Sequence, residues 1–159
     1  MNDIILKNLS LATQLEEQGI NFFSGLSRKF HRNIDLKINF ETFAKSKIAT
    51  KQMISDLSKN AATLSFRNSG STPANLDSAP ILSAIEETEV VGEHSLLGDV
   101  LITAFNYLRE SNKMYQYLSQ YIDSPSVFGR IIAENKLIME VIKKHIHDYT
   151  QEYKFYGYE

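Results

Sequence analysis

A chain of 159 residues, 43% hydrophobic and 23% charged, can enclose one sizeable core and is read as a single domain over 1–159. Its formal net charge of -2 gives no basic face for neutralising phosphates, and the pairs Arg28-Lys29 and Lys143-Lys144 do not supply one, so nucleic acid is not an expected partner. The absence of cysteine excludes disulfides, thiolate metal sites and thiol nucleophiles.

Asp3 and Lys7 interrupt the amino-terminal apolar residues, and no run approaches the roughly 18 apolar residues of a membrane span. The expected address is the cytoplasm, with no membrane partner. From Ile5 to Phe30 apolar residues recur at steps of three and four, which predicts a first helix over about 3–30. His31 to Ile34 reads as a short turn. Asp35 is expected to cap a second helix over about 36–59, marked by Leu36, Phe40, Phe43, Ile54 and Leu57. So short a turn makes the two helices antiparallel neighbours.

A long crossover follows over about 60–95, where Asn68-Ser69-Gly70-Ser71-Thr72-Pro73 is a run of coil formers and Pro80 and Gly92 interrupt the remainder. Within it Ile81, Leu82 and Ile85 suit one short helix lying on the core. Glu86, Glu87, Glu89 and Glu93 read as a solvated acidic face. A third long helix is expected over about 96–122, ended by Asp123-Ser124-Pro125, with Ser124 a cap and Pro125 at the first position of a fourth helix over about 125–149. The fourth helix carries Phe128, Ile131, Ile132, Ile138, Met139, Ile142 and Ile146 on its apolar face, and Glu140 with Lys144 as a supporting pair. The expected fold is all-α: a four-helix bundle of two antiparallel hairpins joined by the crossover.

The first and third long helices also match each other at a constant offset. Ile5, Leu9, Ala12, Glu16, Gly19, Phe23, Leu26 and Phe30 fall on Leu97, Leu101, Ala104, Leu108, Ser111, Tyr115, Leu118 and Ile122. Seven of these eight pairs agree in kind, and the exception sets the carboxylate of Glu16 against Leu108.

The segment Leu15-Glu16-Glu17-Gln18-Gly19-Ile20-Asn21-Phe22-Phe23 resembles the first helix of rubrerythrin-like members of the ferritin-like superfamily, and the two hairpins with a long crossover cover nearly the whole chain as that family does. The resemblance implies a di-iron centre held by a carboxylate on each of two helices and a Glu-x-x-His pair on each of the other two. Carried over by position, those slots are Glu16, Leu108, Lys47 with Thr50, and Asn135 with Ile138; a register slip on the last helix would give Lys136 and Met139 instead. Only Glu16 keeps a ligand side chain, so the expectation is a degenerate site without metal. His31 and His94 lie outside the helical centre, and His145 and His147, two apart, point about 200° away from each other.

Glu16 has two possible placements. The first helix can turn so that Leu15 and Phe22 take the core and Glu16 lies at the rim beside Glu17. Otherwise Glu16 is interior, and the Lys47 ammonium replaces the cation as its partner, with Asn135 adding a hydrogen bond.

The carboxy-terminal Tyr149, Tyr153, Phe155, Tyr156 and Tyr158 suit either folding back on the chain or docking on a partner. Tyr107, Tyr115, Tyr117 and Tyr121 are too many for one core face, so an outer aromatic face and a homodimer through helix and tail contacts are expected. No Gly-x-Ser-x-Gly elbow or phosphate-cradling glycine loop appears.

Three functions follow. The favoured one is a non-catalytic ferritin-like bundle without cofactor, acting as a structural or protein-interaction module. The second is a rubrerythrin-like oxidoreductase of iron or peroxide, with an atypical iron site from Glu16, Glu110, Glu134 and a histidine; the chain lacks the cysteine-ligated iron domain of full rubrerythrins. The third is a bundle that accepts an apolar ligand among Phe23, Phe43, Leu108, Tyr115 and Ile138.

Overall fold

The computed structural model describes residues 2–67, 75–91 and 95–155, with Asn2 and residues 152–155 described by backbone alone. The described residues form five α-helices and no strand: α1 (Asn2–Lys29), α2 (Ile34–Lys59), α3 (Ala79–Val90), α4 (Leu97–Tyr121) and α5 (Pro125–Phe155), with a single 3-10 turn at Ala61–Thr63. None of these helices is long and apolar enough to cross a membrane.

The turn between α1 and α2 is closed by the Phe30 amide on the Leu26 carbonyl at 2.9 Å and by the Asn33 amide on the Phe30 carbonyl at 3.0 Å. Asn33, rather than Asp35, caps α2: its side chain accepts from the Leu36 amide at 3.1 Å. The cap lies one residue before the first helical residue, and α2 begins earlier than the apolar pattern suggests. Asp35 falls inside the first turn, where its charge suits the positive end of the helix.

Beyond α2 the chain runs beside the turn between α4 and α5. The Arg67 amide donates to the Tyr121 carbonyl at 2.9 Å and the Asp123 amide to the Ser65 carbonyl at 2.8 Å, forming an isolated antiparallel bridge between Phe66 and Ile122. The Arg67 guanidinium stands 3.7 Å from Asp123. The coil run 68–74, together with Gly92, Glu93 and His94, lies outside the described residues.

α3 begins with Pro80 in its first turn and buries Ile81, Ala84 and Thr88. Leu82, expected on that buried face, points to solvent, because it follows Ile81 by one residue and so lies about 100° around the helix. Glu86, Glu87 and Glu89 are exposed. The Gln18 amide nitrogen donates to Thr88 Oγ1 at 3.0 Å, tying α3 to α1.

α1 packs along α2 and α4 along α5, while α1 also meets α4, α2 meets α5, and α3 lies against both α1 and α4. α4 is therefore covered on three sides, which explains why Tyr107, Tyr115 and Tyr117 are all buried and Tyr121 is half-buried. The expected outer aromatic face on this helix does not exist. Tyr117 accepts from Asn8 Nδ2 at 3.3 Å and its ring lies 5.0 Å from that of Tyr121. α5 continues past residue 149 to Phe155, so the start of the aromatic tail is helical; Tyr149 packs against Gly98 at the start of α4. The side chains of Tyr153 and Phe155, and all of Tyr156 and Tyr158, lie outside the described residues. On α5, Glu140 pairs with Lys143 at 3.0 Å rather than with Lys144.

The offset of 92 between α1 and α4 is an alignment of buried faces: Leu9, Ala12, Glu16, Gly19, Phe23 and Leu26 are buried, and so are Leu101, Ala104, Leu108, Ser111, Tyr115 and Leu118. A second correspondence, at an offset of 88, relates α2 to α5. It sets the buried Phe40, Phe43, Lys47, Thr50 and Ile54 on the buried Phe128, Ile131, Asn135, Ile138 and Ile142.

Candidate functional site

Glu16 occupies a core position in the middle of α1. Its side chain has no solvent exposure, so the rim placement is overturned. Leu15 and Phe22 are buried as well, because α2, α3 and α4 together cover more than one face of α1. Glu17 takes the exposed position and stands 3.4 Å from Lys51.

Lys47 is reached by the same 3.6-residue period that buries Phe40, Phe43, Thr50 and Ile54 on α2, and its side chain also has no exposure. Its Nζ stands 3.3 Å from Glu16 Oε2 and donates to Asn135 Oδ1 at 2.5 Å. The Asn135 carboxamide in turn donates through Nδ2 to Asn112 Oδ1 at 2.9 Å. Tyr115 donates its hydroxyl to Glu16 Oε1 at 2.5 Å. The Tyr107 ring centroid lies 5.9 Å from Lys47 Nζ, within cation–π range, and its hydroxyl donates to the Leu15 carbonyl at 2.5 Å. Gly19 permits this approach: a Cβ there would run into the Tyr107 hydroxyl.

The result is a polar cluster drawn from four helices and sealed by apolar neighbours. Glu16 Oε2 sits at ion-pair distance from Lys47 but accepts no hydrogen bond, and it is the one such buried side-chain atom among the described residues. Burial, reinforced by the Glu16 charge, pushes the hydroxyls of Tyr107 and Tyr115 well above their ordinary 10.0. Both phenols are thus held as donors, which suits Tyr115 to a carboxylate acceptor.

The six positions that the resemblance assigns to metal ligands, Glu16, Lys47, Thr50, Leu108, Asn135 and Ile138, are all buried. Their chemistry does not fit a di-iron centre. One carboxylate faces an ammonium that would repel a cation, two residues are aliphatic, and the Thr50 hydroxyl donates to the Ser46 carbonyl at 3.1 Å. The alternative carboxylates are not brought together with Glu16. Glu110 is held by Lys113 at 2.9 Å and Arg109 at 3.4 Å on its own helix, and Glu134 is exposed, accepting from Ser46 at 3.4 Å. Among the described residues no three histidine, aspartate or glutamate side chains form a group that could hold a metal ion.

His31 is exposed, with Nδ1 2.9 Å from the Arg28 carbonyl, and His147 is exposed. His145 is half-buried in a cleft between the start of α2 and the end of α5, with Nε2 2.7 Å from Asn39 Nδ2. Burial lowers its pKa; Lys144 adds to the lowering, and Asp148 and Asp35 oppose it.

Phe23, Phe43, Leu108, Tyr115 and Ile138, expected to line an apolar cavity, are buried in one packed core, with the Phe23 and Phe43 rings edge to face at 5.5 Å. The clefts between α2 and α5, between α1 and α3, and between α1 and α2 are lined by other residues.

Tyr115 as the donor to Glu16, and Tyr107 and Asn112 as members of the cluster, are not among the site residues expected from the sequence. A signal was present: Tyr115 is the offset-92 partner of Phe23, and the added hydroxyl is what reaches Glu16. Compared with protein-family models, with curated proteins and with solved structures, the chain matches none of them.

Proposed function

We propose that this chain is a ferritin-like four-helix bundle whose two hairpins, α1 with α2 and α4 with α5, enclose a converted metal site, and that it serves as a non-catalytic structural or protein-interaction module. The observation that carries the reading is the position of the Lys47 ammonium. It stands 3.3 Å from the one carboxylate retained in the slots and 2.5 Å from Asn135, so a cation of the protein's own compensates Glu16. An ammonium has no open coordination position and no redox couple, and it therefore offers structure rather than redox chemistry. The pairing of α1 with α4 and of α2 with α5 supports the same bundle geometry.

The reading is tested by elemental analysis of the purified protein before and after anaerobic incubation with ferrous iron followed by air, with Glu16→Ala as control. Substoichiometric metal throughout is the expected result. Roughly one or two irons per chain, lost in the control, would overturn it.

A further inference from the structure

The outward face of α2 carries a feature that the interior does not explain. Ile34, Ile38, Glu41, Lys45, Ile48 and Gln52 follow one another at steps of four, three, four, three and four residues, and all six are exposed. This is the spacing of a coiled-coil seam, here on the side of α2 opposite Phe43, Lys47 and Ile54. The three isoleucines are 69%, 53% and 55% exposed, so α2 is apolar on two faces while α1 and α5 cover only one of them.

The order of residues along this stripe identifies its occupant. The stripe is self-complementary about the level of Phe43: reversed and laid on itself, it sets Ile38 on Ile48, Glu41 on Lys45 and Ile34 on Gln52. Each is a pairing of the type that antiparallel helices make across a two-fold axis, where the contact of one residue with another is repeated in reverse. Glu41 stays 46% exposed despite a 3.8 Å contact with Lys37 and a hydrogen bond from Ser27, and Lys45 has no ionic partner among the described residues. Two unlike charges are thus left on the face at the spacing at which a second copy would pair them.

We infer that α2 docks on α2 of a second copy of this chain, antiparallel and about a two-fold axis at the level of Phe43, with two Ile38–Ile48 contacts and two Glu41–Lys45 ion pairs. The inference rests on the interaction half of the proposed function. It does not involve the interior cluster, so metal analysis and the test below fail independently.

Sedimentation equilibrium over a range of concentrations is the test. The unaltered chain should be a dimer. Glu41→Lys or Lys45→Glu should each weaken it by at least about ten-fold, since each puts two like-charge contacts across the axis. Glu41→Lys with Lys45→Glu should restore the affinity to within about three-fold, because the complementarity is then reversed but intact. Ile38→Asp should leave a monomer. These residues are exposed, and unchanged helical circular dichroism of each variant controls for folding. A monomer at every concentration, which would assign the face to a different partner, overturns the inference, as does a dimer indifferent to these substitutions or a charge exchange that fails to restore it.

Discussion

The two halves of the chain, α1 with α2 and α4 with α5, place matching residues at matching depths but divide the chemistry unequally. The first half supplies both charges, Glu16 and Lys47; the second sets Leu108 and Asn135 at the corresponding positions. What the second half adds is neutral: a phenol on Tyr115 for the carboxylate and a carboxamide on Asn135 for the ammonium. A buried charge needs a partner of opposite sign within reach, whereas the remaining lone pairs and protons need only dipoles. One half can therefore neutralise itself and still depend on the other for hydrogen bonds.

The largest effect should come from breaking the charged side of this comparison. Lys47→Ala strands Glu16 and should cost about 3 to 5 kcal/mol in urea unfolding, whereas Asn135→Ala, at the matching position of the other half, should cost about 1 to 3 kcal/mol. Replacing both Glu16 and Lys47 by leucine should recover most of the loss. A double variant as unstable as Lys47→Ala would show that the two do not act as a pair.

Tyr115→Phe removes the phenol's hydrogen bond to Glu16 Oε1 and should destabilise by about 1.5 to 3 kcal/mol. In a Glu16→Leu background the same change should cost far less, and equal costs in the two backgrounds would separate Tyr115 from the carboxylate.

Gly19 and Ser111 sharpen the comparison at smaller scale, since they are counterparts at the offset of 92. Gly19→Ala should cost about 1 to 3 kcal/mol, because the added carbon meets the Tyr107 hydroxyl. Ser111→Gly should cost about 0.5 kcal/mol, the difference in helix propensity between the two residues. Thermal unfolding of the two variants side by side reads the difference.

The smallest effect lies at the seam where α2 of one half meets α5 of the other. His145 has a folded pKa below its ordinary 6.5, chiefly because burial disfavours the charged ring. Its contribution to stability is therefore complete above pH 6.5 and is lost as the pH falls through the lowered folded value. His145→Asn should flatten the pH dependence of Tm in that acidic window and leave it unchanged at pH 8, well above the ordinary histidine range of about 6.5. A Tm profile identical to that of the unaltered chain would remove His145 from the pH response.

Periodicity made the four long helices legible to within a few residues, except that α5 runs on to Phe155, because long amphipathic helices repeat the same signal many times. Asn33 and Asp35 are both good caps, and only the start of the backbone spiral distinguishes them. For Glu16 a rotation of one residue turns the helix by about 100°, and the choice between rim and interior was made by the helices packed around α1. The tyrosines of α4 depart from the expected outer face for the same reason: a pattern read along one helix does not count its neighbours. The bridge between Phe66 and Ile122 left no trace in the sequence, since it is made by backbone groups.

The local origin of the Glu16 and Lys47 charges has a kinetic consequence. α1 and α2 can find each other across a short turn while their charged groups still hold water, and that water is expelled only when α4 and α5 close over them. Desolvation thus falls on the docking of the halves and adds to the barrier of the late step. The Glu16→Leu, Lys47→Leu chain should fold faster than the unaltered one, even where the two are equally stable.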